Sequence, residues 1–150
     1  MKKLLLALVC VSFLSTDLLA QYKYTVITTI ESIIPMGLGR SRIVHPKQEL
    51  NYEKITMERI DGKLDKTKKV KREDARIGNF EETKILNLFS GVGISFENIA
   101  SNDAAISAKL SIMSAQGWEF VNSMMGVESD SGKDDGKGIF ITKYIFRKKI

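Results

Sequence analysis

The sequence is poor in the side chains that most enzymes and metal sites use. Its 150 residues contain one cysteine, Cys10, and one histidine, His45, with two prolines and one tryptophan. Cys10 lies in a segment that we expect to be cleaved off, which would remove disulfides, thiolate ligands and cysteine nucleophiles from the mature chain. A zinc site needs three or four nitrogen, sulfur or oxygen ligands. We therefore expect no metal, no cofactor and no catalytic residue set.

The first twenty residues have the three-part layout of a secretory signal peptide. Lys2 and Lys3 precede an apolar run over residues 4–14, and Ala20 stands before Gln21. The apolar run is shorter than the roughly 20 residues that a membrane-spanning helix needs. We predict cleavage after Ala20 and export to the periplasm or the exterior, with a retained N-terminal anchor as the alternative. Residues 21–150 then suit one domain.

Residues 22–34 have the composition and alternation of a strand. They are dense in tyrosine, valine, isoleucine and threonine, which fit a pleated surface. Alternation collects Tyr22, Tyr24, Val26 and Ile30 on one face. The other face is more polar but includes Ile27, which predicts that this second face is partly covered.

The stretch between residues 35 and 100 gives weaker signals. Residues 40–44, RSRIV, predict a short strand that pairs back on the first as a hairpin. Residues 52–60 alternate as a strand does, whereas residues 61–74 predict a solvated, lysine-rich loop. Residues 80–88 fit either a short amphipathic helix or a strand.

The C-terminal third predicts a helix over residues 102–116. Ser101 or Asn102 suits its N-terminal cap, and apolar residues recur at i, i+4 and i+7. Gly117 stands where a left-handed C-terminal cap is needed, a conformation that glycine adopts at little cost. Trp118 follows directly, and we expect its ring to pack over the apolar stripe as part of the core.

Two further strands are expected beyond the helix, at residues 118–127 and 138–148, joined by a polar, glycine-rich connection. The predicted fold class is therefore α+β: an antiparallel sheet, including residues 22–34, packed on one face by a main α-helix.

Three short motifs carry a resemblance to a family. Tyr22-x-Tyr24-x-Val26, then GWEFV at residues 117–121 and Tyr144-x-Phe146-Arg147-Lys148 resemble a family of small bacterial domains of unknown function. Its pattern is Y-x-Y-K-V, G-W-E-L-V and Y-x-F-K-R, and the leader is similar to those of exported Bacteroidetes proteins. The resemblance covers the first strand and about the last fifty residues. It implies the fold and no activity.

One short stretch is a candidate contact for an anion or a partner. It consists of Gly37, Gly39, Arg40, Ser41 and Arg42. The glycines would allow close backbone approach, while the arginines and the serine could bind a phosphate or a carboxylate. A turn that leads into an edge strand is the alternative interpretation.

Other candidates point to ordinary surface. His45, beside Pro46, is interpreted as an exposed loop residue, and the carboxylate pairs lie in lysine-rich or loop contexts. Lysine clusters can bind polyanions by counterion release. No aromatic residue that could stack on a base lies among the lysines of residues 61–74. We therefore expect an envelope polyanion or a protein as the partner rather than nucleic acid.

Three functions stay open from the sequence. The leading hypothesis is a non-enzymatic binding or interaction module of the bacterial envelope. A small hydrolase that uses carboxylates or His45, and a structural subunit that assembles through a sheet edge, are the alternatives.

Overall fold

The chain forms an antiparallel sheet with one long helix. The computed structural model describes residues 21–35, 38–64, 69–128 and 138–150. The predicted leader, Gly37 and most of the glycine-rich connection lie outside them. The elements, in chain order, are β1 (Tyr22–Ser32), β2 (Leu38–Pro46), α1 (Tyr52–Ile55), β3 (Arg59–Ile60), β4 (Lys63–Leu64), β5 (Phe80–Leu86), β6 (Phe89–Ser90), β7 (Gly93–Ile94), α2 (Phe96–Ala115), β8 (Glu119–Glu128) and β9 (Ile139–Lys149).

Five strands make the main sheet in the order β5-β2-β1-β9-β8, all neighbours antiparallel. Along β1 and β9 the register joins Tyr22 to Lys149 and Ser32 to Ile139. The predicted hairpin between the first two strands is confirmed by β1 and β2. The sheet and its helix confirm the α+β fold class.

Helix α2 begins earlier than the sequence predicts. Its N-cap is Ser95, whose hydroxyl accepts a hydrogen bond from the Asn98 N–H at 3.3 Å. The prediction of a cap at Ser101 or Asn102 is wrong: both residues lie inside the helix, and Asn102 is buried. Short polar side chains favour helix starts, but the Asn102 side chain has a tertiary role that the local pattern does not reveal.

The predicted glycine stop at the end of α2 is confirmed. Gly117 has φ of 80°, and the chain closes with two backbone bonds, Gly117 N to Ser114 O at 2.9 Å and Trp118 N to Met113 O at 3.1 Å. This is the Schellman arrangement, which usually brings an apolar contact across the stop. Trp118 is half-buried and packs against the core that contains Met113, as expected from the sequence.

The core lies between α2 and one face of the sheet. Its buried apolar residues are Ile27, Ile43, Ile85, Met113 and Phe146. Each such side chain stabilises the fold by about 1.5–3 kcal/mol when fully buried. Because Ile27 belongs to this core, α2 covers the more polar face of β1, and the face with Tyr24 and Val26 is the outer one.

Two predictions for the middle of the chain need correction. Residues 52–60 are not a strand: the Asn51 side chain caps α1, accepting from the Lys54 N–H at 3.2 Å, and only Arg59–Ile60 is extended. Residues 80–86 take the strand alternative and form β5. Strand β2 therefore lies inside the sheet, between β1 and β5, and is not an edge strand.

Candidate functional site

Strand β8 forms one edge of the sheet, and all ten of its residues are exposed. Its apolar side chains include Phe120, Val121, Met124, Met125 and Val127, of which Phe120 is 55% and Met125 69% exposed. The only charged residues on β8 are Glu119 and Glu128, one at each end. A long, apolar edge strand without a central charge is a template for pairing with another strand.

The opposite edge, β5, is protected at its C-terminal end and carries more charge. The Asn102 side chain accepts from the Leu86 N–H at 2.8 Å and donates to the Leu86 C=O at 2.7 Å. These are the backbone groups that an added strand would use. Asn98 likewise donates to the Asn87 C=O at 2.8 Å. Three of the seven residues of β5 are charged, which also discourages strand addition.

The outer face of the sheet carries apolar pairs on either side of the exposed Lys143, which lies between Thr28 and Met124. Register places Val26 opposite Ile145, Ile30 opposite Ile141 and Thr28 opposite Val44 on the face away from α2. Val26 remains 36% exposed and Tyr24 59% exposed. This surface is continuous with one side of β8.

Charged pairs also flank these apolar residues. Arg147 donates to Glu119 at 2.7 Å, and its guanidinium lies 4.6 Å from the centre of the Tyr22 ring. On the β5 side, Arg42 forms an ion pair with Glu82. This face therefore mixes apolar patches with charges, as ordinary protein surface does.

A second candidate lies at the C-terminal end of α2, in an open cleft of about 770 Å³. Its walls include Thr25, His45, Lys47 and Trp118. His45 is only 7% exposed, so the expectation of an exposed loop residue is wrong. The histidine belongs to an inner strand and faces the same side as Ile43, where α2 excludes water.

A carboxylate between two lysines lies beside this histidine. Glu81 accepts from Lys109 at 2.5 Å and pairs with Lys47 at 2.8 Å. The hydrogen bonds from Lys109 and Lys47 lower the pKa of Glu81 to about 2. A carboxyl group held ionised in this way does not donate a proton near neutral pH, so Glu81 is a structural counter-ion for Lys109, which is nearly buried.

The histidine does not complete a catalytic arrangement. Its Nε2 lies 3.4 Å from the Thr25 hydroxyl oxygen, and its buried Nδ1 has no hydrogen-bond partner. A histidine base is normally oriented by a third group on the other ring nitrogen. Burial, then the charges of Lys47 and Lys109, lower the pKa of His45. The ring is therefore held neutral.

The structure does not bring the predicted anion contact together. Ser41 is fully buried, and its hydroxyl accepts from the Ser32 N–H at 2.9 Å and donates to Asn87 Oδ1 at 2.8 Å. Arg42 is engaged with Glu82. Arg40 is exposed, Gly39 lies within β2, and Gly37 is outside the described residues. Among Arg40, Ser41 and Arg42, whose burial the structure describes, Arg40 is the exposed residue.

Part of the lysine-rich segment forms a hairpin. β3 and β4 form a small hairpin, with positive φ at Asp61 and Gly62. An Asp-Gly pair is a strong signal for this turn, so residues 61–64 form a hairpin turn where a loop is predicted from the lysine content. Residues 65–68 lie outside the described part of the chain.

The predicted site residues did not include Asn102 or any residue of the exposed β8 edge. The absence of central charges in residues 119–128 is the signal that could have indicated the edge. No family model, no curated protein and no solved structure matches this chain. The family resemblance of the three motifs stays a prediction.

Proposed function

We propose that the protein is a non-enzymatic interaction module of the bacterial envelope or exterior, which binds another protein by adding a strand to β8. The observation that carries this proposal is the difference between the sheet edges. All ten residues of β8 are exposed, and none between Glu119 and Glu128 is charged, whereas β5 has three charged residues and its last residue, Leu86, is bound by the Asn102 side chain. Strand addition obtains affinity from main-chain hydrogen bonds and specificity from alternate side chains.

The composition of β8 supports binding over simple solvent exposure. Monomeric proteins usually interrupt edge strands with charges, proline or a bulge near the centre. β8 has a register shift near Val121, close to its start, and Met124, Met125 and Val127 follow without interruption. Methionine side chains adapt to varied partners because they are flexible and polarizable.

The hydrolase alternative has weaker support. Glu81 is engaged by two lysines, and His45 lacks an orienting partner at Nδ1. In the described part of the chain, no three acidic, histidine or cysteine side chains gather closely enough to hold a metal ion. The cleft beside Trp118 therefore supplies a surface but no evident proton-transfer pair.

Export is part of the proposal and rests on the sequence of the leader. Within the described residues, no helix has both the length and the apolar character that a bilayer crossing requires. Edman sequencing of the protein recovered from a bacterial host tests this part. A processed chain that begins at Gln21 in the periplasmic or culture fraction supports export, and an intact leader in the cytoplasmic fraction contradicts it.

Site-specific photo-cross-linking in cells tests the binding edge. A benzophenone amino acid at Met125 should give one discrete adduct, identified by mass spectrometry. The same amino acid at Val92, which is 99% exposed and far from β8 in sequence, is the matched control. The identified protein, once purified, should bind the chain directly.

Binding of the purified partner should weaken by at least about tenfold in Met125→Lys, because a charge then lies among apolar edge contacts. Val92→Lys should bind as the wild type does. Absence of an adduct at Met125, equal adducts at both positions, or unchanged binding by Met125→Lys would overturn the proposed binding edge.

A further inference from the structure

Strand β8 is complementary to itself when it runs antiparallel to a second copy. We infer that two copies of this chain pair through β8 about a twofold axis at Met125, joining their sheets into one of ten strands. This inference rests on the proposed function of β8 as the binding edge and names the partner. It is supported by the register, by side-chain size and by charge.

Register comes first, because paired residues must lie on the same face of a sheet. β8 loses its regular pairing with β9 between Phe120 and Asn122. From Asn122 to Glu128 the alternation is uninterrupted: Ser123, Met125 and Val127 lie on the α2 side, opposite Tyr144, Thr142 and Phe140. Pairing centred on Met125 keeps every residue of this segment on its own face.

That register makes four kinds of pair. Met125 meets Met125 of the second copy, Ser123 meets Val127, Met124 meets Gly126, and Asn122 meets Glu128. Opposite side chains in antiparallel strands have Cβ atoms about 4.5–5.5 Å apart, so each pair is in direct contact.

Size fits these pairs, and hydrogen bonding fits them once one side chain turns. A Cβ placed at Gly126 would have no neighbour within 4 Å, so there is open space for the Met124 side chain of the other copy. Tyr144 directs its backbone groups to β1, so the Ser123 N–H opposite it points to the free edge, where it donates to Asn122 Oδ1 at 2.9 Å. In the paired state the Asn122 side chain turns away from Ser123. The Ser123 N–H can then donate to Val127 of the other copy, and the Asn122 NH₂ group can donate to the Glu128 carboxylate of the other copy.

The fully overlapped register is unfavourable. Pairing all ten residues, from Glu119 to Glu128, places these two carboxylates opposite each other, and like charges in that position are destabilising. It also sets Asn122, on the outer face, against Met125, on the α2 face. The register centred on Met125 avoids both conflicts.

Sedimentation measurements on the purified protein test the assembly. We expect a concentration-dependent dimer that weakens by at least about tenfold in Met125→Lys, since the twofold axis places the two new charges side by side. Val92→Lys should dimerise as the wild type does. Circular dichroism verifies that both variants remain folded.

A cysteine scan tests the register. With Cys10 replaced by serine the chain has no other thiol, so Met125→Cys introduces a single one. It should form a disulfide-linked dimer under mild oxidation, because Cβ atoms of a directly opposed pair lie near disulfide distance. Ser123→Cys should not, because Ser123 is opposite Val127 rather than its own copy.

Each outcome bears on the inference separately from the proposed function. A wild-type monomer at all concentrations, a dimer unaffected by Met125→Lys, or efficient cross-linking of Ser123→Cys but not of Met125→Cys would overturn self-pairing. If the photo-cross-link at Met125 then captures a different protein that binds through β8, the proposed function stands without this inference. If the photo-cross-link captures neither a second copy nor a different protein, the proposed function and the self-pairing both fail.

Discussion

The carboxamide of Asn102 binds the Leu86 backbone as a neighbouring strand would, accepting from its N–H at 2.8 Å and donating to its C=O at 2.7 Å. The same NH₂ group donates to Glu31 at 3.0 Å. One buried side chain on α2 thus holds the end of β5 and reaches β1. It fixes the helix on the sheet and occupies the backbone groups of the last residue of β5.

Removing this side chain should destabilise the fold. Asn102→Ala leaves the Leu86 N–H and C=O without their partner, and a buried unsatisfied group costs about 1–3 kcal/mol. We expect the free energy of unfolding to fall by about 2–4 kcal/mol, measured by urea denaturation. Ser107→Ala, at an exposed position of the same helix, is the control and should change it by less than about 0.5 kcal/mol. A loss of the same size in both variants would contradict the role of Asn102.

The stop of α2 should depend on glycine. Gly117 has φ of 80°, and an added Cβ would meet only Lys148 at ordinary contact distance, 3.6 Å. Gly117→Ala should therefore cost about 1–2 kcal/mol from backbone conformation alone. Gly78→Ala, where φ is not positive and a Cβ has open space, is the matched control. Equal melting temperatures of the two variants would show that the cap contributes no strain.

Stability should fall as the pH drops through the titration of His45. Burial lowers the pKa of His45 below its ordinary value of 6.5, so the unfolded chain binds a proton first. The loss therefore begins near pH 6.5 and continues down to the folded-state pKa, below which it stops growing. His45→Gln has no titrating group at this position. Its free energy of unfolding should therefore change less with pH between pH 7.5 and the pH at which carboxylates begin to titrate. An unaltered slope in His45→Gln would rule out this linkage.

A second acid-dependent loss should come from Glu81. Its pKa is about 2, against an ordinary 4.5, because Lys109 and Lys47 donate hydrogen bonds to the carboxylate. The stabilisation is complete above pH 4.5 and is lost as the pH falls from 4.5 towards 2. Glu81→Gln should remove this part of the profile, while Glu58→Gln, in an exposed residue outside the sheet, controls for the loss of one carboxylate. Matching profiles for the two variants would contradict the assignment.

The sequence predicts the parts of the fold that local chemistry determines. Gly117 marks the helix stop because the left-handed conformation favours glycine, and the apolar Trp118 then meets the core across it. The strands at β1, β8 and β9 follow from alternation and composition. These features depend on residues close together in the chain.

The sequence does not predict the parts that depend on distant partners. Asn102 resembles a helix cap until Leu86 is beside it, and His45 resembles a loop residue until α2 covers β2. The face of β1 that α2 covers is polar in pattern because its polar groups find partners there, such as Thr29 with the Thr142 C=O at 3.5 Å. Alternation separates two faces but does not say which one a helix will cover.

The difference between the two sheet edges sets an upper limit on growth. A copy that joins at β8 uses its own apolar edge in doing so, and the outer edge that it presents is again β5, with three charged residues and with Leu86 bound by Asn102. Addition therefore ends after one step, which is what separates a closed pair from a fibril built of endlessly added strands.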